Sequence, residues 1–198
     1  MRIGSRVLVA ALLCVLPVSA WSLDANQDIL IQIRKEGPAV VVEVVCPVDA
    51  PGSIVWEVLT DYDHMAKFLS NLEYSSVADT AGNVLRVHQK GKASRGPLTL
   101  TFDMIREVEL VPHSEIRSRL ISGDLKASDF VTRVNEDGNG VKVSVSGKFV
   151  AGGFSGGVIS PETVESQTRR QYQELRDEVM RRKSNTPTPP CILAKNCP

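Results

Sequence analysis

PGSIVWEVLTDYDHMAKFLSNL, from Pro51 to Leu72, is the stretch on which the reading of this chain turns. It sets two short helical patterns between long runs of strand-like alternation. Ile54, Val55, Val58 and Leu59 recur at helical spacing after the start signal Pro51-Gly52-Ser53. Met65, Phe68, Leu69 and Leu72 do the same after Asp61 and Asp63, two acids that read better as helix-start caps than as an acid–base pair. Two amphipathic helices in tandem need a common apolar surface to cover.

The flanks supply that surface. Before the stretch, Ile29, Ile31 and Ile33 alternate with polar residues, Lys35-Glu36-Gly37-Pro38 interrupts, and Val40 to Cys46 follows: strand, turn, strand. After it the apolar period is two, and strands are expected at 73–79, 84–91, 97–109, 115–122, 127–135 and 141–150. The connections carry turn chemistry and are short, so neighbours should be antiparallel. Leu98, Leu100, Phe102 and Met104 share one side of their strand, as do Val141, Val143, Val145 and Phe149 of theirs, so one face of the sheet is dry. The last helix supplies the cover. Ser160 is a good N-cap, Pro161 fits a first turn, and Val164, Thr168, Tyr172, Leu175 and Val179 form one narrow stripe.

The chain's 198 residues suit one domain with appendages. Arg2 and Arg6 precede an apolar run, Val7 to Val18, and Val18-Ser19-Ala20 obeys a small-residue cleavage rule. Residues 1–20 are therefore expected to be a general secretion signal, and the mature chain to be exported, to a periplasm first of all, with no transmembrane segment. The 23 basic and 23 acidic side chains give no electrostatic reason to expect nucleic acid. Cys14 leaves with the signal, Cys46 reads as a small buried apolar residue, and Cys191 and Cys197 bracket a tail segment that an oxidising compartment can close as a disulfide.

Strand, two short helices, an antiparallel meander, a flexible loop and a long last helix resemble the helix-grip fold, an α+β class in which a curved antiparallel sheet wraps a C-terminal helix. The wording Cys46-Pro47-Val48-Asp49-Ala50-Pro51, then Val55-Trp56-Glu57-Val58-Leu59-Thr60-Asp61-Tyr62-Asp63, then Met65, Phe68 and Leu72 sharpens this. It resembles the opening of the polyketide cyclase/dehydrase and lipid-transport family of the START/Bet v 1-like (SRPBCC) superfamily, coenzyme-Q-binding proteins included. The domains implied are a signal at 1–20, an extension with one added strand at 21–37, the helix-grip domain at 38–183, and a Pro-rich tail at 184–198. The resemblance implies a cavity between sheet and last helix. Trp56, Tyr62, Phe68, Phe102, Phe130, Phe149, Phe154 and Tyr172 are its candidate wall residues, and the loop carrying Gly152, Gly153, Gly156 and Gly157 is a candidate gate at its mouth.

Other chemistry is thin. Gly153-Phe154-Ser155-Gly156-Gly157 matches G-x-S-x-G, but His64, His88 and His113 all precede it, against the order a hydrolase elbow requires. The histidines have no metal-ligand spacing, so no metal or cofactor is expected. His88 and Arg117 are the candidate polar cavity groups if their strand faces turn inward; Leu85 and Val87 argue for the reverse. The expected function is binding, and transport, of a hydrophobic small molecule such as a lipid, an isoprenoid or quinone, or a polyketide-like ring. A cyclase or aromatase working in the same cavity is the alternative, and an interaction module with a filled core is the third.

Overall fold

The computed structural model describes residues 28–95, 98–138, 140–152 and 160–186. The alternating runs become eight strands: β1 (Leu30–Glu36), β2 (Ala39–Val48), β3 (Leu72–Ala81), β4 (Val84–Arg95), β5 (Leu98–Val111), β6 (Glu115–Gly123), β7 (Leu125–Asp137) and β8 (Gly140–Ala151). Helix α1 (Gly52–Thr60) and a 3₁₀ helix (Tyr62–Lys67) separate β2 from β3, and α2 (Pro161–Asn185) ends the domain. The strands form one antiparallel sheet in the order β1-β2-β8-β7-β6-β5-β4-β3. This is the helix-grip architecture. The secretion signal, Phe154, Gly153, Gly156, Gly157, Cys191 and Cys197 lie outside the described residues.

The inner face follows from the period of two. Val40, Val42, Val44, Cys46 and Val48 of β2 are buried in strict alternation, and β8 answers with Val141, Val143 and Val145. Across this face lies α2, 25 residues and about 38 Å long. Its N-terminus is capped as its sequence implies: Ser160 Oγ accepts from the Thr163 amide at 3.3 Å, Pro161 follows, and Glu162 complements the helix dipole.

The packing under α2 is uneven along its length. Beneath the C-terminal half, Val179 meets a solid core in which Val44, Cys46, Val55, Val58 and Val143 are each at most 1% exposed. Removing each such valine from water contributes about 2 kcal/mol. Beneath the N-terminal half the interior is hollow.

Two expectations around residues 61–72 need correcting. The second helical pattern is not an α-helix: the 3₁₀ helix stops at Lys67, and single turns, Leu69 N to Met65 O at 2.8 Å and Leu72 N to Leu69 O at 3.1 Å, carry the chain on. Those turns bury the same Met65, Leu69 and Leu72 that a helix would have buried. Neither Asp61 nor Asp63 caps a helix with its side chain. Asp63 Oδ1 instead accepts from the Val77 amide at 2.8 Å, which pins the 3₁₀ helix to edge strand β3. Asp61 belongs to an ion network at the C-terminus of α2. There Arg182 donates to Asp61 Oδ2 at 2.6 Å, Glu178 Oε1 at 2.7 Å and Glu57 Oε1 at 2.8 Å, and its guanidinium lies 5.8 Å from the Phe68 ring centroid. One arginine thus ties together α1, the 3₁₀ helix and α2.

Candidate functional site

The hollow under the first half of α2 is a cavity of about 400 Å³. Its helix wall is the stripe Val164, Thr168, Tyr172 and Leu175, which a 3.6-residue period keeps on one side. Its sheet wall comes from alternate residues of β4 to β8 and β2. At one end Leu59, Tyr62, Met65 and Leu69, all buried, close it from the α1 and 3₁₀ side. At the other end its lining includes the exposed Thr101 and Asp124.

Among the described residues, that second end is left uncovered where two strands part. The β6–β7 ladder stops at Arg119–Asp129, while β6 continues along β5 to Gly123 and β7 along β8 from Leu125. The hairpin tip is held to β5 instead: the Asp124 amide donates to Asp103 O at 3.0 Å, and the Asp103 amide donates to Asp124 Oδ2 at 2.8 Å. Gly152, the described member of the candidate gate, sits against this tip, since a Cβ there would fall 2.1 Å from Asp124 O.

Five of the candidate wall residues, Tyr62, Phe102, Phe130, Phe149 and Tyr172, line the cavity. Two of the phenyl rings occupy space that glycine provides. Phe102 pairs across the ladder with Gly91 and Phe130 with Gly147, and a Cβ on either glycine would come within 2.6 Å of the ring opposite. Trp56 and Phe68 are not in the lining. Trp56 packs on His113 of the β5–β6 turn, ring centroids 5.6 Å apart, and Phe68 lies beneath Arg182. The resemblance makes both of them wall candidates, but Trp56 is taken up by the β5–β6 turn and Phe68 by the α2 end.

His88 and Arg117 are not cavity groups either. Alternation in β4 turns Val87 and Gln89 inward and His88 outward, where its Nε2 meets Asp103 Oδ1 at 2.7 Å beside Lys90. In β6 it turns Ile116 and Ser118 inward. Arg117 is left on the outer face in ion pairs with Glu115 at 2.7 Å and Glu109 at 3.4 Å.

The polar groups of the cavity are others. Arg106 of β5 reaches in beside Tyr62 and Tyr172 and donates through Nη2 to Gln89 Oε1. Gln89, itself buried, donates to Ser75 Oγ at 3.0 Å. Burial pushes the Arg106 guanidinium below its ordinary pKa, but a guanidinium stays charged. Burial pushes both tyrosine hydroxyls up, so at neutral pH they are uncharged hydrogen-bonding groups. Sequence reasoning missed Arg106 and Gln89, although the signal was there. The inward phase Phe102, Met104 reaches Arg106 two residues on, and Leu85, Val87 reaches Gln89.

A family model described as polyketide cyclase/dehydrase and lipid transport matches residues 39–180. The chain belongs to that family. A STAR-related lipid transfer protein from Xanthomonas axonopodis has a similar structure (TM-score 0.66, 13% identity, 80% of this chain and 97% of that one). So has the Zhui aromatase/cyclase from a Streptomyces species (TM-score 0.61, 18% identity, 73% and 95%), and a protein from Thermus thermophilus (TM-score 0.63, 16% identity, 72% and 98%). No curated protein matches by sequence. As a member of the polyketide cyclase/dehydrase and lipid-transport family, the chain departs from the matched region at its front. Strand β1 precedes residue 39, extends the sheet beyond β2, and is tied to α2 where Arg169 Nη1 donates to Ile29 O at 2.9 Å.

Proposed function

We propose that the protein binds, and carries, a hydrophobic small molecule such as a lipid, an isoprenoid or a polyketide-like ring in the cavity between the sheet and α2. The observation that supports this most is the uneven packing under α2. Protein interiors are ordinarily filled to crystal-like density, yet here about 400 Å³ is left open beneath one half of a helix whose other half packs solidly. The volume is that of a small-molecule site, and aromatic and aliphatic side chains dominate its wall. Binding works by removing the ligand's apolar surface from water, at roughly 25 cal/mol per Å². The parted β6–β7 hairpin forms the mouth. The leader-like residues 1–20 support an exported carrier, and among the described residues no helix is long and apolar enough to cross a membrane.

The second reading, a cyclase or aromatase, draws on Arg106 with Tyr62 and Tyr172 at the closed end, where a cation and two neutral hydroxyls can polarise a carbonyl. The carrier reading is tested with a fluorescent hydrophobic probe such as anilinonaphthalene sulfonate. The wild type should bind it saturably, and Thr168→Trp, which fills the cavity from α2, should weaken binding about tenfold while leaving the fold intact by circular dichroism. Equal binding by the two proteins would place the probe elsewhere and refute the reading.

A further inference from the structure

Three buried polar atoms among the described residues have no hydrogen-bond partner: Arg106 Nε, Asn71 Oδ1 and Ser118 Oγ. All three belong to side chains that line the cavity under α2. Buried polar atoms are nearly always satisfied, and buried charges are paired, because leaving either alone forfeits its hydration. Arg106 is the sharpest case. It is the only cationic side chain among the described lining residues, and no carboxylate among the described residues lies within ion-pair distance of it. Its one hydrogen bond among the described residues goes to the neutral Gln89, and the ionisable groups beside it, Tyr62 and Tyr172, are held uncharged at neutral pH by burial.

Charge is also placed asymmetrically along the cavity. Arg106 stands near the end that Tyr62 and Met65 close. The only anionic side chain in the described lining, Asp124, stands at the exposed hairpin tip. An anion is therefore favoured at the closed end and disfavoured at the mouth.

We propose that the natural ligand is a hydrophobic acid that enters head first, with a carboxylate on Arg106 and its apolar body against Phe102, Phe130 and Phe149. This rests on the carrier reading and deepens it. A single cation suits a monoanion better than a doubly charged phosphate. Arg106 lines the cavity with one hydrogen bond, through Nη2, to a neutral partner, and a guanidinium with donors to spare is the side chain best suited to a carboxylate.

The test compares dodecanoate with methyl dodecanoate and dodecanol, equal in chain length but uncharged, by calorimetric titration at neutral pH. The wild type should bind the acid about 10- to 100-fold more tightly than the ester, the range expected for a charge-assisted bond. Arg106→Met should erase that preference while holding the ester, and Arg106→Lys should keep part of it. Should Arg106→Met not fold, the wild type and Arg106→Lys decide the matter. If the wild type binds ester and alcohol as well as the acid, the carboxylate is overturned and the carrier reading stands. If Arg106→Met keeps the acid preference, Arg106 is not its source and the proposal falls. If none of the three binds or displaces a cavity probe, both fall together.

Discussion

Replacing Arg182 by Met should loosen the closed end of the domain. The substitution removes three charge-assisted bonds, to Asp61, Glu178 and Glu57, from a guanidinium whose side chain is 17% exposed. Breaking an enclosed ion pair on one side costs about 3–5 kcal/mol when the partner is left alone. Here neither inner partner is. Glu178 keeps Arg181 at 2.7 Å, and Asp61 keeps His64 at 2.6 Å. Glu57, 65% exposed, contributes little. The loss should therefore be about 2 kcal/mol, roughly 4–8 °C in Tm for a domain of this size.

The pH dependence carries a sign. Hydrogen bonds from Arg181, and then from Arg182, overcome burial and hold the Glu178 carboxyl at about 2 against an ordinary 4.5. For Asp61, burial works upward but is outweighed by hydrogen bonds from Arg182 and His64, so it too lies below its ordinary value. A carboxyl depressed in the folded state contributes stability that is complete above its unfolded pKa and disappears as pH falls through its folded one. The gap between wild type and Arg182→Met should thus be widest near neutrality and narrow as pH drops from about 4.5 towards 2. Urea unfolding followed by circular dichroism at several pH values measures it. A gap under about 0.5 kcal/mol at neutrality, or one that does not change down to low pH, would refute the clamp.

Gly123→Ala should open the hairpin tip at the cavity mouth. Gly123 sits at φ 135°, and a Cβ there would fall 2.3 Å from Asp103 O, so strain and overlap together should cost about 3 kcal/mol and expose the Asp124 amide to hydrogen exchange. Unchanged stability and protection would show that the tip is not held as described. Cys46 should be inert: burial pushes its thiol up to about 11, so in a chain lacking residues 1–20 and carrying Cys191→Ser and Cys197→Ser, a disulfide reagent at pH 8 should modify it only after denaturant is added. Prompt native reaction would contradict its place in the core.

The fold was legible because its strands advertise themselves. The alternation of Val141, Val143 and Val145 against Lys142, Ser144 and Ser146 has one physical reading, and the capped stripe from Ser160 to Val179 has one complement. The stretch from Met65 to Leu72 was harder. Spacings of three and four residues suit a helix, but successive tight turns bury the same side chains, and nothing in the spacing separates the two. The site was half legible. Phe102, Phe149 and Tyr172 could be placed on the dry face by phase, whereas Trp56 falls between the apolar positions of α1 and Phe68 among those that follow it, and both are spent on packing outside the hollow. Arg106 escaped notice because a charged residue inside an alternating strand is ordinarily assigned to the wet side. Following the phase strictly, in preference to residue type, would have put it inward.

The most direct measurement of the central claim is native mass spectrometry of the protein recovered from the cell that makes it. The account predicts a hydrophobic molecule bound one to one, released on unfolding and absent from Thr168→Trp. Repeated recovery of protein at its bare chain mass, with wild type and variant alike, would contradict it.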